Sequence, residues 1–241
     1  MATREKPVAI DEEILERLNR GILQRTGAYR TGDHIVLRSG RHTSEYVAKA
    51  LVTTEPTFTE GLGDIIAEHF SRYQVDLVLT TGYGAGLLGH CVARSHPSRP
   101  RFIFAAKVKT ADHRTEVTLA TEDRAFFAEG GRVLIVEDIL TTGETVKQLI
   151  TLVENMGGQV VGIGAIWRRS TRMKFKYPLF TIVTRDFPTY APSECPMCTQ
   201  GIPINPDPRS IGQEEEAEDK PKSPLSPVSP LFQRGAGGIL T

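Results

Sequence analysis

Two adjacent carboxylates stand in the middle of the stretch "RVLIVEDILTTGETVKQLI", Arg132 to Ile150. Glu137 and Asp138 follow an apolar run and precede Ile139 and Leu140. Then comes Thr141-Thr142-Gly143-Glu144-Thr145, and a helical pattern after it. A loop that joins a strand to a helix can turn its backbone N–H groups onto an anion, and the helix dipole favours negative charge at the same place. The hydroxyls of Thr141, Thr142 and Thr145 add donors, and Gly143 permits close backbone approach. The loop is not a Walker loop, because GxxxxGK[ST] is absent. The carboxylates would repel a phosphate at contact distance, so they suit sugar hydroxyls a few ångströms away. A ligand with a phosphate at one end and a vicinal diol beside it, a ribose 5-phosphate, satisfies both parts. An acid pair alone fits an ordinary solvated strand end; the Thr-Thr-Gly-x-Thr loop attached to it points to the ligand.

Such a pair has to be presented by a sheet. Apolar runs at "VDLVLT" (75–80), "RFIFAA" (101–106), "RVLIVE" (132–137) and "QVVGIGAIW" (159–167), with "LFTIVTR" after them, predict strands covered on both faces. Helices are expected over about 10–25, 84–95 and 144–156. Another follows Pro56, where Thr57 and Glu60 have capping-box spacing. Val146, Leu149, Ile150, Val153 and Met156 form the apolar stripe of the 144–156 helix, which Gly157-Gly158 stops. Strands alternating with helices predict an α/β fold with a mainly parallel sheet. Ligands in such sheets sit beyond the carboxyl ends of the strands, which is where the acid pair falls.

Composition narrows the partners. The 241 residues carry 29 basic and 29 acidic side chains, so no basic surplus recommends nucleic acid. There is no apolar run of membrane-spanning length, and "MATREKPVAIDEE" lacks a secretory apolar core. Three cysteines make no disulfide framework, and a cytoplasmic setting is expected. From Ser210 the chain turns acidic, then Pro/Ser-rich, then Gly-rich, so 210–241 is expected to be a disordered tail. The rest, 1–209, is expected to be one domain.

"VLIVEDILTTGET" resembles the phosphoribosyl-pyrophosphate (PRPP) motif of type I phosphoribosyltransferases. The resemblance assigns Glu137 and Asp138 to the ribose 2′- and 3′-hydroxyls, and Thr141, Thr142, Gly143, Glu144 and Thr145 to the 5-phosphate. It implies the type I fold, a parallel twisted sheet with helices and a small hood built from about 26–52 and 168–205. "HIVLRSGRHTSEYVAKALV" resembles the N-terminal signature of the orotate-specific members. Arg38 and Tyr46 there, with Arg169 of "IGAIWRRS", are the base-binding candidates, Arg169 for a planar carboxylate. "DLVLTTGYGAGLLGHCVAR" is similar to the pyrophosphate loop, giving Thr81, Gly82 and Gly84; Gly84 is kept, while Thr80-Thr81 replace Gly-Pro. Segment 107–123 corresponds to a mobile loop that closes over the diphosphate of the neighbouring subunit. Lys107, Lys109 and His113 of that loop, with Asp138, are the catalytic candidates. Ala111 stands where many orotate enzymes have Lys, and Ala120-Thr121 where others have Arg-Arg.

The resemblance further implies PRPP and orotate as substrates, magnesium carried by PRPP and not held by protein side chains, and a homodimer. A phosphoribosyltransferase for another base, and a non-catalytic PRPP-binding regulator, are the competing readings. Gly84, Gly86 and Gly89 also spell G-x-G-x-x-G, but the next strand ends in Lys107 and Lys109, without the acid a dinucleotide ribose needs. Cys195-x-x-Cys198 has zinc-ligand spacing, yet Cys91 lies far off and no His follows His113, so the pair is expected to pack in a Pro-rich turn.

Overall fold

In the computed structural model, residues 27–37, 39–111, 113–127 and 130–205 are described. The helix expected over 10–25, Arg38 and the 210–241 tail lie outside the described residues.

The chain enters through an antiparallel hairpin, β1 (Tyr29–Val36) and β2 (His42–Val47). A single helical turn, α1 (Ala50–Thr53), leads to α2 (Pro56–His69). Then follow β3 (Leu77–Thr80), α3 (Tyr83–Ser95) and β4 (Arg101–Phe104). A second hairpin pairs β5 (Ala106–Lys109) with β6 (Thr115–Thr118). Next come β7 (Arg132–Leu140), α4 (Glu144–Asn155), β8 (Gln159–Arg168) and β9 (Leu179–Thr184). The short α5 (Pro196–Thr199) ends the described chain.

Five strands form one parallel sheet in the order β4-β3-β7-β8-β9. Alternation along β7 explains why its run is apolar throughout. Leu134 and Val136 join the core shared with Leu62, Ile66 and Phe70 of α2 and Leu88 and Val92 of α3. Val133 and Ile135 join the opposite core with Val146, Leu149 and Val153 of α4. Both faces are therefore covered, as the sequence predicts for a parallel sheet.

Three expectations are corrected. The 57/60 capping box does not form: Pro56 is the first helical residue and Glu55 the cap, without a side-chain cap bond. Glu60 pairs with Arg94 instead, and the hydroxyl of Thr59 bonds the carbonyls of Val52, Thr53 and Glu55. β4 stops at Phe104, where the chain leaves the sheet for the second hairpin. β7 runs on through the acid pair to Leu140.

Glycines in β8 set the spacing of α2 over the sheet. A Cβ on Gly162 would stand 2.3 Å from the Phe70 ring, and one on Gly164 2.6 Å from Ile66. The Phe70 ring is fully buried and has no room to withdraw. Gly162→Ala is expected to destabilise the domain by about 1–3 kcal/mol, the usual cost of overpacking. Urea unfolding followed by circular dichroism checks this; an unchanged midpoint would contradict the packing described.

Candidate active site

Glu137 and Asp138 sit on the central strand near its carboxyl end, and both are buried, Asp138 to 1% exposure. Two buried carboxylates side by side need compensation. Lys49, between β2 and α1, supplies it: its Nζ lies 2.9 Å from both carboxylate oxygens of Asp138. Burial opposes the charge on Lys49, but Asp138 more than offsets this and holds its pKa above the ordinary value. Glu137 forms no ion pair among the described residues, and Lys49 reaches it only through its field. Its Oε1 accepts a bond from the Asp138 N–H at 3.0 Å. Burial, then the neighbouring Asp138 charge, push its pKa up to about 8. Lys49 was not foreseen; no local motif marks a lysine whose partner is 89 residues away.

The loop after β7 has the form a phosphate cradle requires. Gly143 caps α4 with φ +79°, a backbone region that suits glycine. A Cβ there would also come within 2.9 Å of Phe175 and 3.1 Å of the Met173 sulfur. Thr141 and Thr142 are exposed, and the Glu144 N–H is 3.4 Å from the Thr142 hydroxyl. The Glu144 carboxylate turns away to Lys147 at 2.5 Å, so Glu144 offers the cradle its N–H and not its side chain. Thr145 is half-buried in the first turn of α4.

The turn after β3 and the first turn of α3 meet the acid pair directly. A Cβ on Gly84 would lie 2.4 Å from Asp138 Oδ2 and 3.0 Å from the Thr53 hydroxyl. Gly82 caps α3 with φ +88°, and the nearest atom to its notional Cβ is Lys107 Nζ, at 3.9 Å. The hydroxyls of Thr80 and Thr81 are buried without a hydrogen-bond partner. The G-x-G-x-x-G spacing also finds its explanation here. Gly86 lies under the Phe104 ring, and a Cβ on Gly89 would strike Thr80 at 2.2 Å. These glycines let α3 sit close to the sheet.

Arg169 follows β8, its N–H bonded to the Leu140 carbonyl beside the phosphate loop. Its guanidinium lies 4.6 Å over the Phe187 ring, and Nη2 is buried with no hydrogen-bond partner. Burial pulls its pKa below the ordinary arginine value, against the pull of Glu45 and Tyr46. Tyr46 acts on Lys49 as well, so it lies within electrostatic reach of both Arg169 and the lysine that pairs with Asp138. Arg168 is committed elsewhere: its guanidinium bonds the carbonyls of Ser170, Thr171 and Met173.

The structure thus brings together Glu137, Asp138, Gly82, Gly84, Lys107, Tyr46 and Arg169. Lys109 and His113 lie elsewhere on the 106–118 hairpin, His113 exposed at the turn with φ +61°. In that hairpin Lys107 stands opposite Val117 and Lys109 opposite Thr115.

Cys195 and Cys198 lie in the turn that opens α5, and they are not alone there. Two imidazoles reach them from the amino-terminal hairpin, His34 and His42, and all four ligand atoms lie within 4.8 Å of one another. Spacing alone hid this, because the histidines precede the cysteines by more than 150 residues.

The raised pKa of Glu137 has a consequence for stability. A carboxyl that titrates near 8 when folded and near 4.5 when unfolded binds more protons in the folded state between those values. Its contribution therefore falls as pH rises from about 4.5 to about 8 and levels off above that. Glu137→Gln is expected to remove this fall, so the variant should gain on the parent in melting temperature across that window. Parallel melting curves at every pH would contradict it.

Residues 52–190 match the phosphoribosyl transferase domain family. Orotate phosphoribosyltransferase of Caldanaerobacter subterraneus is 34% identical over 202 residues, covering 83% of this chain and 95% of that protein. The Thermotoga maritima orotate phosphoribosyltransferase is 35% identical over 184 residues, covering 76% and 92%. Among solved structures, Mycobacterium tuberculosis orotate phosphoribosyltransferase superposes with a TM-score of 0.52 at 22% identity, covering 72% of this chain and 95% of that one. Trypanosoma brucei adenine phosphoribosyl transferase gives 0.55 at 15% identity, covering 74% and 82%. These two share the fold. The chain belongs to the type I phosphoribosyltransferase family, and the curated relatives it matches there are orotate phosphoribosyltransferases.

Proposed function

We propose that the protein is an orotate phosphoribosyltransferase, moving 5-phosphoribose from PRPP to orotate and releasing pyrophosphate and orotidine 5′-phosphate. The observation that carries this is the meeting at Asp138 of three parts: the acid pair, the Thr141–Thr145 cradle that follows it, and Gly84 of the second loop. A ribose held by its diol on the acids has its 5-phosphate on the cradle and its diphosphate toward Gly82 and Gly84. The curated relatives supply the choice of orotate, and the buried guanidinium of Arg169 suits its carboxylate.

In the reaction the bond from C1 of ribose to the diphosphate oxygen breaks and a bond from C1 to a ring nitrogen of orotate forms. Charge builds up as a ribosyl oxocarbenium ion and a leaving diphosphate. The acid pair lies where it can hold the diol and so orient C1 toward the incoming base. Lys107, beside Gly82, is placed for the diphosphate. Magnesium arriving with PRPP would neutralise the leaving group. No protein nucleophile is required.

Two further assignments belong to this reading. The protein acts as a homodimer in the cytoplasm, with Lys109 and His113 carried by the hairpin to the neighbouring subunit's site. Exposed Tyr83, Phe104 and Val108 near the β4 edge offer apolar surface for such a contact. No helix among the described residues is long and apolar enough to cross a membrane.

Product formation from PRPP and magnesium with orotate, uracil and the purines tests the assignment. Turnover with orotate alone is expected. Turnover with another base would move the specificity, and PRPP binding without turnover would make the protein a regulator. Asp138→Asn is expected to weaken PRPP binding at least about tenfold, or about 1.4 kcal/mol. Unchanged affinity by calorimetry would remove the diol from Asp138.

A further inference from the structure

We propose that His34, His42, Cys195 and Cys198 form a structural zinc site that clasps the amino-terminal hairpin to the carboxyl-terminal segment. The donors are the soft and borderline set that zinc prefers, two thiols and two imidazoles. A tetrahedral zinc with ordinary bond lengths puts nitrogen and sulfur about 3.6 Å apart, two nitrogens about 3.3 Å and two sulfurs about 3.8 Å apart. Here Cys195 and Cys198 Sγ are each 3.6 Å from His34 Nε2, and Cys198 Sγ is 3.3 Å from His42 Nδ1. His34 Nε2 and His42 Nδ1 are 2.8 Å apart, about half an ångström closer than two zinc-bound nitrogens, and all four ligand atoms lie within 4.8 Å of one another.

The surroundings prepare the ligands. His34 Nδ1 is 2.6 Å from the Ile202 carbonyl, so it carries the proton and leaves the Nε2 lone pair facing the cluster. The hairpin sets the two imidazoles. Ile35 and Thr43 are partners across β1 and β2, so His34 and His42 are diagonal neighbours on the opposite face. The turn between the strands is closed by the Leu37 N–H to the Arg41 carbonyl, with Gly40 at φ +74°. Cys195 caps α5 and Cys198 lies within it, so one short turn presents both sulfurs. Four protein ligands leave no open position, which makes the site structural and not catalytic.

The position gives the site its purpose. β1 and β2 form a two-stranded sheet with no ladder to the main sheet, and such a hairpin is marginal alone. Short polar links tie it to the carboxyl-terminal segment: His42 bridges to Tyr190, Arg41 bonds Thr189, and the Asn205 N–H bonds the His34 carbonyl. A zinc ion adds a strong bond across the same seam. Tyr46 lies four residues beyond His42, and Phe187, under Arg169, lies on the other side of the seam. The clasp therefore fixes the wall against which the base would sit.

Full-length protein purified under reducing conditions, without a histidine tag or chelator, is measured by inductively coupled plasma mass spectrometry. One zinc per chain is expected, and its loss in Cys198→Ser, the most exposed ligand. Cobalt added to the chelated parent protein is expected to give tetrahedral ligand-field bands with thiolate charge transfer, a readout independent of whether the variant folds. Metal-free protein that develops no such spectrum would overturn the site, as would a Cys195–Cys198 disulfide in freshly isolated protein. Neither readout involves turnover, so the zinc site and the proposed activity stand or fall separately.

Discussion

The fold is arranged around a charge problem at the end of its central strand. β7 lies in the middle of a covered sheet, yet it carries two consecutive carboxylates to a buried position. Two unpaired buried anions would not be tolerated there. Lys49 neutralises Asp138, and Glu137 keeps its proton up to about pH 8. The choice of glycine at position 84 follows from the same point, because any side chain would enter the Asp138 carboxylate. The β3 loop, the β7 strand and the chain between β2 and α1 are thus locked together through one residue. The hydroxyls of a diol, as proposed for the ribose, would donate hydrogen bonds to such a pair.

The parts visible in the sequence are those whose cause is local. The five strands of the sheet and the α4 stripe are periodicities, and periodicity is written into adjacent residues. The 141–145 loop is a contiguous motif, and Gly143 within it is the left-handed cap of α4. Arg169 was separable from Arg168 only by resemblance. The structure shows the physical difference: one guanidinium is consumed by three carbonyls of the following turn, the other stacks on Phe187 with a nitrogen left over.

What escaped the sequence depends on long-range closure. The Thr57/Glu60 pattern has the right spacing for a cap, but Pro56 at the first helical position and the Thr59 hydroxyl's bonds to α1 decide the start. Lys49 finds Asp138, and His34 and His42 find Cys195 and Cys198, across most of the chain. A search for zinc ligands that looks downstream of a C-x-x-C pair misses a hairpin upstream of it. The signal that was present is an H-x7-H spacing around the turn at 37–41, legible only if the turn is known to close into a two-stranded ladder with both histidines on one face.

The two seams of the molecule divide the work. One joins β7 to the β3 loop and would hold the sugar and its phosphates; its glycines and buried carboxylates leave little freedom for substitution. The other joins the amino-terminal hairpin to the 186–205 segment and would border the base in the proposed reading. Beside the edge-to-face contact of Tyr29 with Phe187 it carries several exposed polar links, among them Arg41 with Thr189 and Arg185 with Glu45. Exposed ion pairs contribute little each. A seam of that kind needs either a partner surface or a covalent-strength link to be rigid, and a rigid wall is what selects one planar base over another. The convergence of two imidazoles and two thiols at the centre of this seam meets that need with residues already in contact.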